Sequence, residues 1–96
     1  MVDEAAQATE PAVLVPLTLC AGRSCVLLGD HLQLPPTTFL PRAEELFVSR
    51  SLFERLCVLG HTPLLLQEQY RMAPEISAFP SSYFYEGARV FSLYIL

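Results

Sequence analysis

The stretch Ser24-Cys25-Val26-Leu27-Leu28-Gly29-Asp30-His31-Leu32-Gln33-Leu34-Pro35-Pro36 decides the fold. Residues 24–28 are a short apolar run, with the turn residues Ala21-Gly22-Arg23 before it and Gly29-Asp30 after it. Such a run reads as a strand buried on both faces, the condition of a strand in a parallel sheet. Ligands of open α/β sheets sit just beyond the C-terminal ends of the strands. The polar loop 29–36, closed by two prolines, is therefore a candidate binding loop. Within it Gln33 offers both a donor and an acceptor without adding charge. It can touch a phosphate oxygen and orient a water.

Working outward, Pro11 suits the first turn of a helix over 12–20, and Pro16 is expected to kink or shorten it. Ser51-Leu52-Phe53-Glu54 has the spacing of a capping box. Leu52, Leu56 and Leu59 then line one apolar face, and Gly60 is a C-terminal stop. Leu64-Leu65-Leu66 reads as a second buried strand. Helix, strand, helix, strand in that order predicts an α/β layer around a parallel sheet. Residues 37–47 are expected to be a mobile connection.

From Gln67 the sequence turns polar. Pro74 and Pro80 are expected to bracket a short helical turn, with Met72, Ile76 and Phe79 on one face. Phe79, Tyr83, Phe84 and Tyr85 have the composition of a base-stacking platform, but such clusters are more often core, and core is the expectation here. The apolar tail 90–96 reads as a truncated strand or as sequence foreign to the fold. At the other end, Met1 and Val2 read as the last residues of a strand whose tip carries Asp3-Glu4.

Composition limits the chemistry. The chain has 96 residues, 52% of them hydrophobic, and a net charge of −4, so it is globular rather than disordered. All six basic residues are arginines. A phosphate cradle of the pattern G-x-x-x-x-G-K-[ST] cannot exist without lysine, and no basic patch of the kind that grips nucleic acid is visible. Cys20, Cys25 and Cys57 fit no common zinc spacing, and His31 and His61 are not placed to complete a site. Reduced, mostly buried thiols are expected, and His31 is expected to be a loop residue with a backbone partner. The first residues are acidic rather than basic-then-apolar, and no apolar run is long enough to span a bilayer. The expected location is cytoplasmic or nuclear, not secreted and not membrane.

Two further segments carry chemistry. In Asp3-Glu4-Ala5-Ala6-Gln7, adjacent carboxylates leave a strand on opposite sides. One can face a hydrated Mg²⁺, which takes few carboxylates and keeps most of its waters, while the other faces an attacking water. In Gln69-Tyr70-Arg71-Met72-Ala73-Pro74, Arg71 is always charged and can fork onto a phosphate.

Together and in this order, the three segments resemble the core of the superfamily 1 helicases, in the up-frameshift and senataxin-like branch. Residues 3–7 look like helicase motif II, 29–36 like motif III and 69–74 like motif IV. Ser51-Leu52-Phe53-Glu54-Arg55-Leu56, Ser77-Ala78-Phe79-Pro80-Ser81 and Phe84-Tyr85-Glu86-Gly87 strengthen the likeness, which covers residues 1–87. Ala73 stands where this family usually has histidine.

The resemblance implies an α/β chain with a partial RecA-like P-loop NTPase fold, parallel strands with helices, truncated at both ends. Residues 1–67 would be the C-terminal part of a first RecA-like domain and 68–96 the start of a second. It implies Asp3 as the Mg²⁺-side ligand through water and Glu4 as the catalytic base. It implies Gln33 as the γ-phosphate sensor and Arg71 as an arginine finger, with Gln7 in support. All four of Asp3, Glu4, Gln33 and Arg71 would touch ATP or its metal. The activity implied is ATP-driven 5′-to-3′ translocation along single-stranded RNA (or DNA), of the nonsense-mediated-decay type. A P-loop NTPase without unwinding activity and a non-enzymatic truncated chain are the alternatives. Lacking a lysine-bearing loop, the chain alone is expected to turn over no ATP and to be marginally stable.

Overall fold

Among the described residues three short strands and three helices alternate: α1 (Glu10–Leu19), β1 (Val26–Leu28), α2 (Leu52–Val58), β2 (Leu64–Leu66), α3 (Pro74–Phe84) and β3 (Phe91–Ile95). The computed structural model describes residues 1–20, 24–87 and the backbone of 91–95. The turn expected at 21–23, and residues Val90 and Leu96 of the tail, lie outside the described residues.

β1 forms where the sequence predicts it. Leu27, its central residue, is fully buried. On one side Val2 bridges Leu27 in parallel, an isolated bridge of one residue where Met1-Val2 reads as the end of a strand. On the other side β3 pairs antiparallel, with Val26 opposite Ile95 and Leu28 opposite Leu93. β2 pairs with the far edge of β3, also antiparallel, with Leu64 opposite Leu93 and Leu66 opposite Phe91. β1 and β2 therefore point the same way, as expected, but the strand between them runs against both. The all-parallel sheet is corrected to a mixed one. The physical reason is that the inner edges of β1 and β2 both need hydrogen-bond partners, and an antiparallel strand supplies them as well as a parallel one. The sheet draws strands from both 1–67 and 68–96.

α2 follows its sequence signals closely. Ser51 Oγ accepts from the Glu54 amide at 3.1 Å; the reciprocal carboxylate bond of a full capping box is not present among the described residues. Gly60 takes φ 94°. The Gly60 and His61 amides donate back to the Cys57 and Leu56 carbonyls, a left-handed stop of the Schellman kind. Burial is shifted by one residue from expectation. Phe53 and Leu52 are buried, whereas Leu59 is 63% exposed, because the helix ends before Leu59 can turn inward. Phe53, Leu27, Val13, Leu52, Ala5 and Ala6 form the core. α1 is tied to α2 by Arg55, whose Nε and Nη2 donate to the two carboxylate oxygens of Glu10 at 2.8 and 2.6 Å, the bidentate fork in which arginine is strongest.

Both internal prolines are absorbed. α1 continues past Pro16 and α3 past Pro80, so the expected short turn between Pro74 and Pro80 is an 11-residue helix. Each proline removes one backbone bond; the neighbouring turns keep theirs. Residues 41–49 form successive turns, with Ala43 buried. The aromatic group is not core. Phe79 and Tyr83 are about 70% exposed and stack on one another with ring centroids 5.6 Å apart, with Phe84 edge-on to Tyr83. Met72 and Ile76 are exposed as well. Nor are the thiols mostly buried. All three cysteines are free, Cys20 is exposed, and Cys25 and Cys57 are half-buried. Burial raises the Cys57 pKa.

Candidate functional site

The acidic pair is positioned by the backbone that flanks it. Val2 donates to the Val26 carbonyl at 2.8 Å, and Leu28 donates to the Val2 carbonyl at 2.9 Å. The chain then leaves β1 for two residues and returns through the Ala5 amide, which donates to the Leu28 carbonyl at 2.8 Å. Asp3 and Glu4 are the two residues thrown outward, and both are exposed at the tip of β1. Glu4 pays for this with φ 51°, a left-handed conformation that costs an L-residue about 1–2 kcal/mol. Such strain concentrates at functional sites. Local bonds then orient both carboxylates. Asp3 Oδ1 accepts the Glu4 amide at 2.9 Å, and Gln7 Nε2 donates to Glu4 Oε2 at 3.2 Å.

The same segment packs against the loop that carries Gln33. Ala5 and Ala6 are buried and lie under Gly29. A methyl group on Gly29 would sit 2.8 Å from the Ala6 nitrogen and 3.2 Å from the Ala5 nitrogen. Backbone atoms cannot yield as a side-chain tip can, so residue 29 must lack a Cβ for the two segments to touch. Gly29→Ala is expected to cost about 1–3 kcal/mol, the usual penalty of overpacking, and a thermal melt of the variant checks it. An unchanged midpoint would mean that the two segments do not meet as closely as this.

The loop is organised by Asp30, which is 6% exposed. Its Oδ1 accepts the Leu32 amide at 3.0 Å and its Oδ2 accepts Gln33 Nε2 at 2.8 Å. Tyr85, at the C-terminal end of α3, donates its hydroxyl to the same Oδ2. The Tyr85 pKa is pushed up to about 12 by burial, then by the hydrogen bond to Asp30 and by that residue's charge; a hydrogen bond with Gln33 acts the other way. A phenol held protonated more tightly in the folded state contributes its full stability below about pH 10, the ordinary tyrosine value. That contribution is lost as pH climbs towards 12. His31 turns out of the loop and its ring lies 5.9 Å from that of buried Phe53, so its partner is aromatic rather than the expected backbone group. Pro36 is buried and anchors the loop's far end.

Arg71 leaves the same edge of the sheet, beyond the C-terminal end of β2, and is exposed. Gln69 shapes its turn. Gln69 Oε1 accepts the amides of Arg71 and Met72 at 3.0 and 2.7 Å, and Gln69 Nε2 donates to the Met72 carbonyl at 2.7 Å. The structure thus brings the acidic pair and the Gln33 loop into one packed unit. It carries Arg71 on a separate turn at the same edge, outside that packed contact. Among the described residues, open clefts of about 530 and 470 Å³ are not lined by Asp3, Glu4, Gln33 or Arg71. Sequence reasoning passed over Asp30 and Tyr85. The available signal for Asp30 was a carboxylate set directly beyond a buried strand; nothing local marked Tyr85.

Among the described residues no group of three or more histidine, cysteine or carboxylate side chains could hold a metal, and no helix is long and apolar enough to cross a membrane. What the residues do fit is a hydrated Mg²⁺. Asp3 is exposed and uses one oxygen for the Glu4 amide, leaving the other for the waters of an ion that takes few carboxylates. They do not supply a triphosphate cradle, since the chain has no lysine.

Two family models match, both described as AAA domain, over residues 1–40 and 48–90. Among similar proteins, the Regulator of nonsense transcripts 1 homolog of Drosophila melanogaster is 50% identical over 88 residues, 92% of this chain and 7% of the relative. The ATP-dependent helicase NAM7 of Saccharomyces cerevisiae is 47% identical over 92% of this chain and 9% of its own length. The 5′-3′ DNA helicase ZGRF1 of Mus musculus is 45% identical over 94% of this chain and 5% of its own length. The chain spans less than a tenth of the length of each of these relatives.

Proposed function

The chain belongs to the superfamily 1 helicases of the up-frameshift type, and we propose that it carries the hydrolytic edge of an ATP-driven motor that moves 5′ to 3′ along single-stranded RNA. The fold is a partial RecA-like one, with 1–67 belonging to a first RecA-like domain and 68–96 opening a second. The observation that carries this reading is the Ala5–Leu28 and Gly29–Ala6 backbone contact. It sets the acidic pair and the Gln33 loop side by side at the C-terminal edge of the sheet, where α/β sheets bind nucleotides.

Each residue has a separate task. Asp3 would hold a hydrated Mg²⁺ through water, and the ion would supply charge neutralisation at the phosphates. Glu4 takes the proton of the attacking water on Oε1, while Gln7 holds Oε2. Gln33 reads the γ-phosphate through its carboxamide. Arg71 offers its guanidinium to the charge that spreads over the transferring phosphoryl group. The lysine-bearing cradle for the triphosphate must come from outside these 96 residues.

The test is a chimera in which residues 1–87 replace the matching segment of yeast NAM7. The chimera is expected to hydrolyse ATP with stimulation by single-stranded RNA, while the 96-residue chain alone is expected to show no turnover. A folded chimera that binds nucleotide but never hydrolyses it would refute the reading. Single-stranded DNA in the same assay examines the second reading, favoured by the mouse relative named as a DNA helicase.

A further inference from the structure

We propose that Tyr85 is a positioning residue for Gln33: by occupying Asp30, its phenol ties the end of α3 to the loop 30–33 and holds the Gln33 carboxamide in place. The inference starts from the burial of Asp30. A carboxylate that is 6% exposed must have its oxygens met by donors, because an unmet buried charge is expensive. Two of its donors are local: the Leu32 amide on Oδ1 and Gln33 Nε2 on Oδ2, the geometry of a loop Asp bonding just ahead of itself. The third comes from 55 residues away, the Tyr85 hydroxyl, and it lands on the same Oδ2 as Gln33.

That shared oxygen makes the arrangement a linkage. Gln33 is itself exposed, so packing does not fix its side chain; its hydrogen bond to Asp30 Oδ2, the oxygen that Tyr85 also meets, does. Tyr85 is in turn fixed by the helix it ends. Its amide donates to the Ser81 carbonyl at 3.2 Å, and Glu86 and Gly87, at φ 50° and 86°, turn the chain away directly after it. Any movement of α3 relative to β1 must withdraw the hydroxyl from Oδ2 and leave Asp30 with its local donors alone. The position of Gln33 is then a report on the position of α3. Read with Gln33 as the γ-phosphate sensor, on which the functional meaning of this step rests, the contact couples the segment that opens the second domain to the group that feels the nucleotide.

The test uses the 96-residue chain and needs no nucleotide. In ¹⁵N-labelled protein at neutral pH, the Gln33 side-chain amide is expected to give two well-separated, slowly exchanging signals with contacts to the Tyr85 ring. Tyr85→Phe keeps the ring and removes only the hydroxyl. It is expected to collapse those signals towards the positions of a solvated glutamine, with the backbone amides of α2 unmoved. Asp30→Asn is expected to do the same from the other side. Alkaline titration of phenolate absorbance gives an independent reading. One tyrosine is expected to ionise near about 12, against about 10 for an ordinary phenol, and this late component should vanish in Tyr85→Phe. Gln33 signals that are identical in wild type and Tyr85→Phe, or phenols that all titrate together, would overturn the proposal. Neither readout depends on hydrolysis, so failure here and failure of the chimera are separate results.

Discussion

Glu4→Gln in the NAM7 chimera is expected to lower ATP turnover by roughly 10²–10⁴-fold, the span of a lost general base, while nucleotide affinity stays close to that of the parent chimera. The substitution is nearly isosteric. It leaves the strand-tip geometry that the Val2, Leu28 and Ala5 amides impose, and glutamine meets the same backbone demand at φ 51° as glutamate does. What it removes is the capacity of Oε1 to accept a proton. Turnover should therefore fall with KM little changed, the pattern of an interaction made only in the transition state. Steady-state hydrolysis and equilibrium nucleotide binding on the same preparation separate the two quantities. Full turnover in the glutamine variant would move the base elsewhere and leave the left-handed Glu4 without a catalytic reason.

The parts of the fold that were legible in the sequence are those in which a signal and its consequence lie within a few residues. Residues 24–28 carry a strand in their own composition, with Leu27 alone among them buried, whereas Leu64, Leu65 and Leu66, read in the same way as a buried strand, form a strand that is exposed. Ser51 and Gly60 announce the two ends of α2, and Met1-Val2 beside Asp3-Glu4 announces a strand tip. What escaped depends on longer range or on competition between terms. Pro16 and Pro80 have strong local penalties, yet each is a loss of one hydrogen bond inside a helix that keeps the others, and the helix wins. Phe53 looks like a neighbour of the Leu52–Leu56 stripe; only the packing of α2 on β1 makes it the fully buried anchor.

The site divides along the same line. Ala5, Ala6 and Gly29 are all small, and small residues facing one another announce a close backbone approach only once the two segments are known to be adjacent. The Asp30–Tyr85 hydrogen bond spans 55 residues, and no pattern in the chain pairs an acid after one strand with a phenol at the end of a distant helix. The direction of β3 was equally hidden. Its apolar run says strand, but nothing in it distinguishes a parallel from an antiparallel neighbour.

Arg71→Ala in the chimera is expected to cost about 10³–10⁵-fold in turnover, the range that an arginine finger contributes elsewhere, with nucleotide binding largely intact. Arg71 is exposed, so truncating it opens no cavity. The turn that presents it is held through Gln69 and the backbone of Arg71 and Met72. The loss should thus be chemical rather than structural, and the melting temperature should stay within error of the parent. Arg71→Lys distinguishes charge from shape. A lysine keeps one positive charge but loses the planar fork that spans two phosphate oxygens, so it should recover only a small part of the loss. The finger assignment demands a large effect because the charge it meets exists only at the top of the barrier; a mere surface ion pair is worth at most about 1 kcal/mol, less than a tenfold change. A loss below tenfold would place Arg71 in that second class and return the search for the finger to the protein outside this chain.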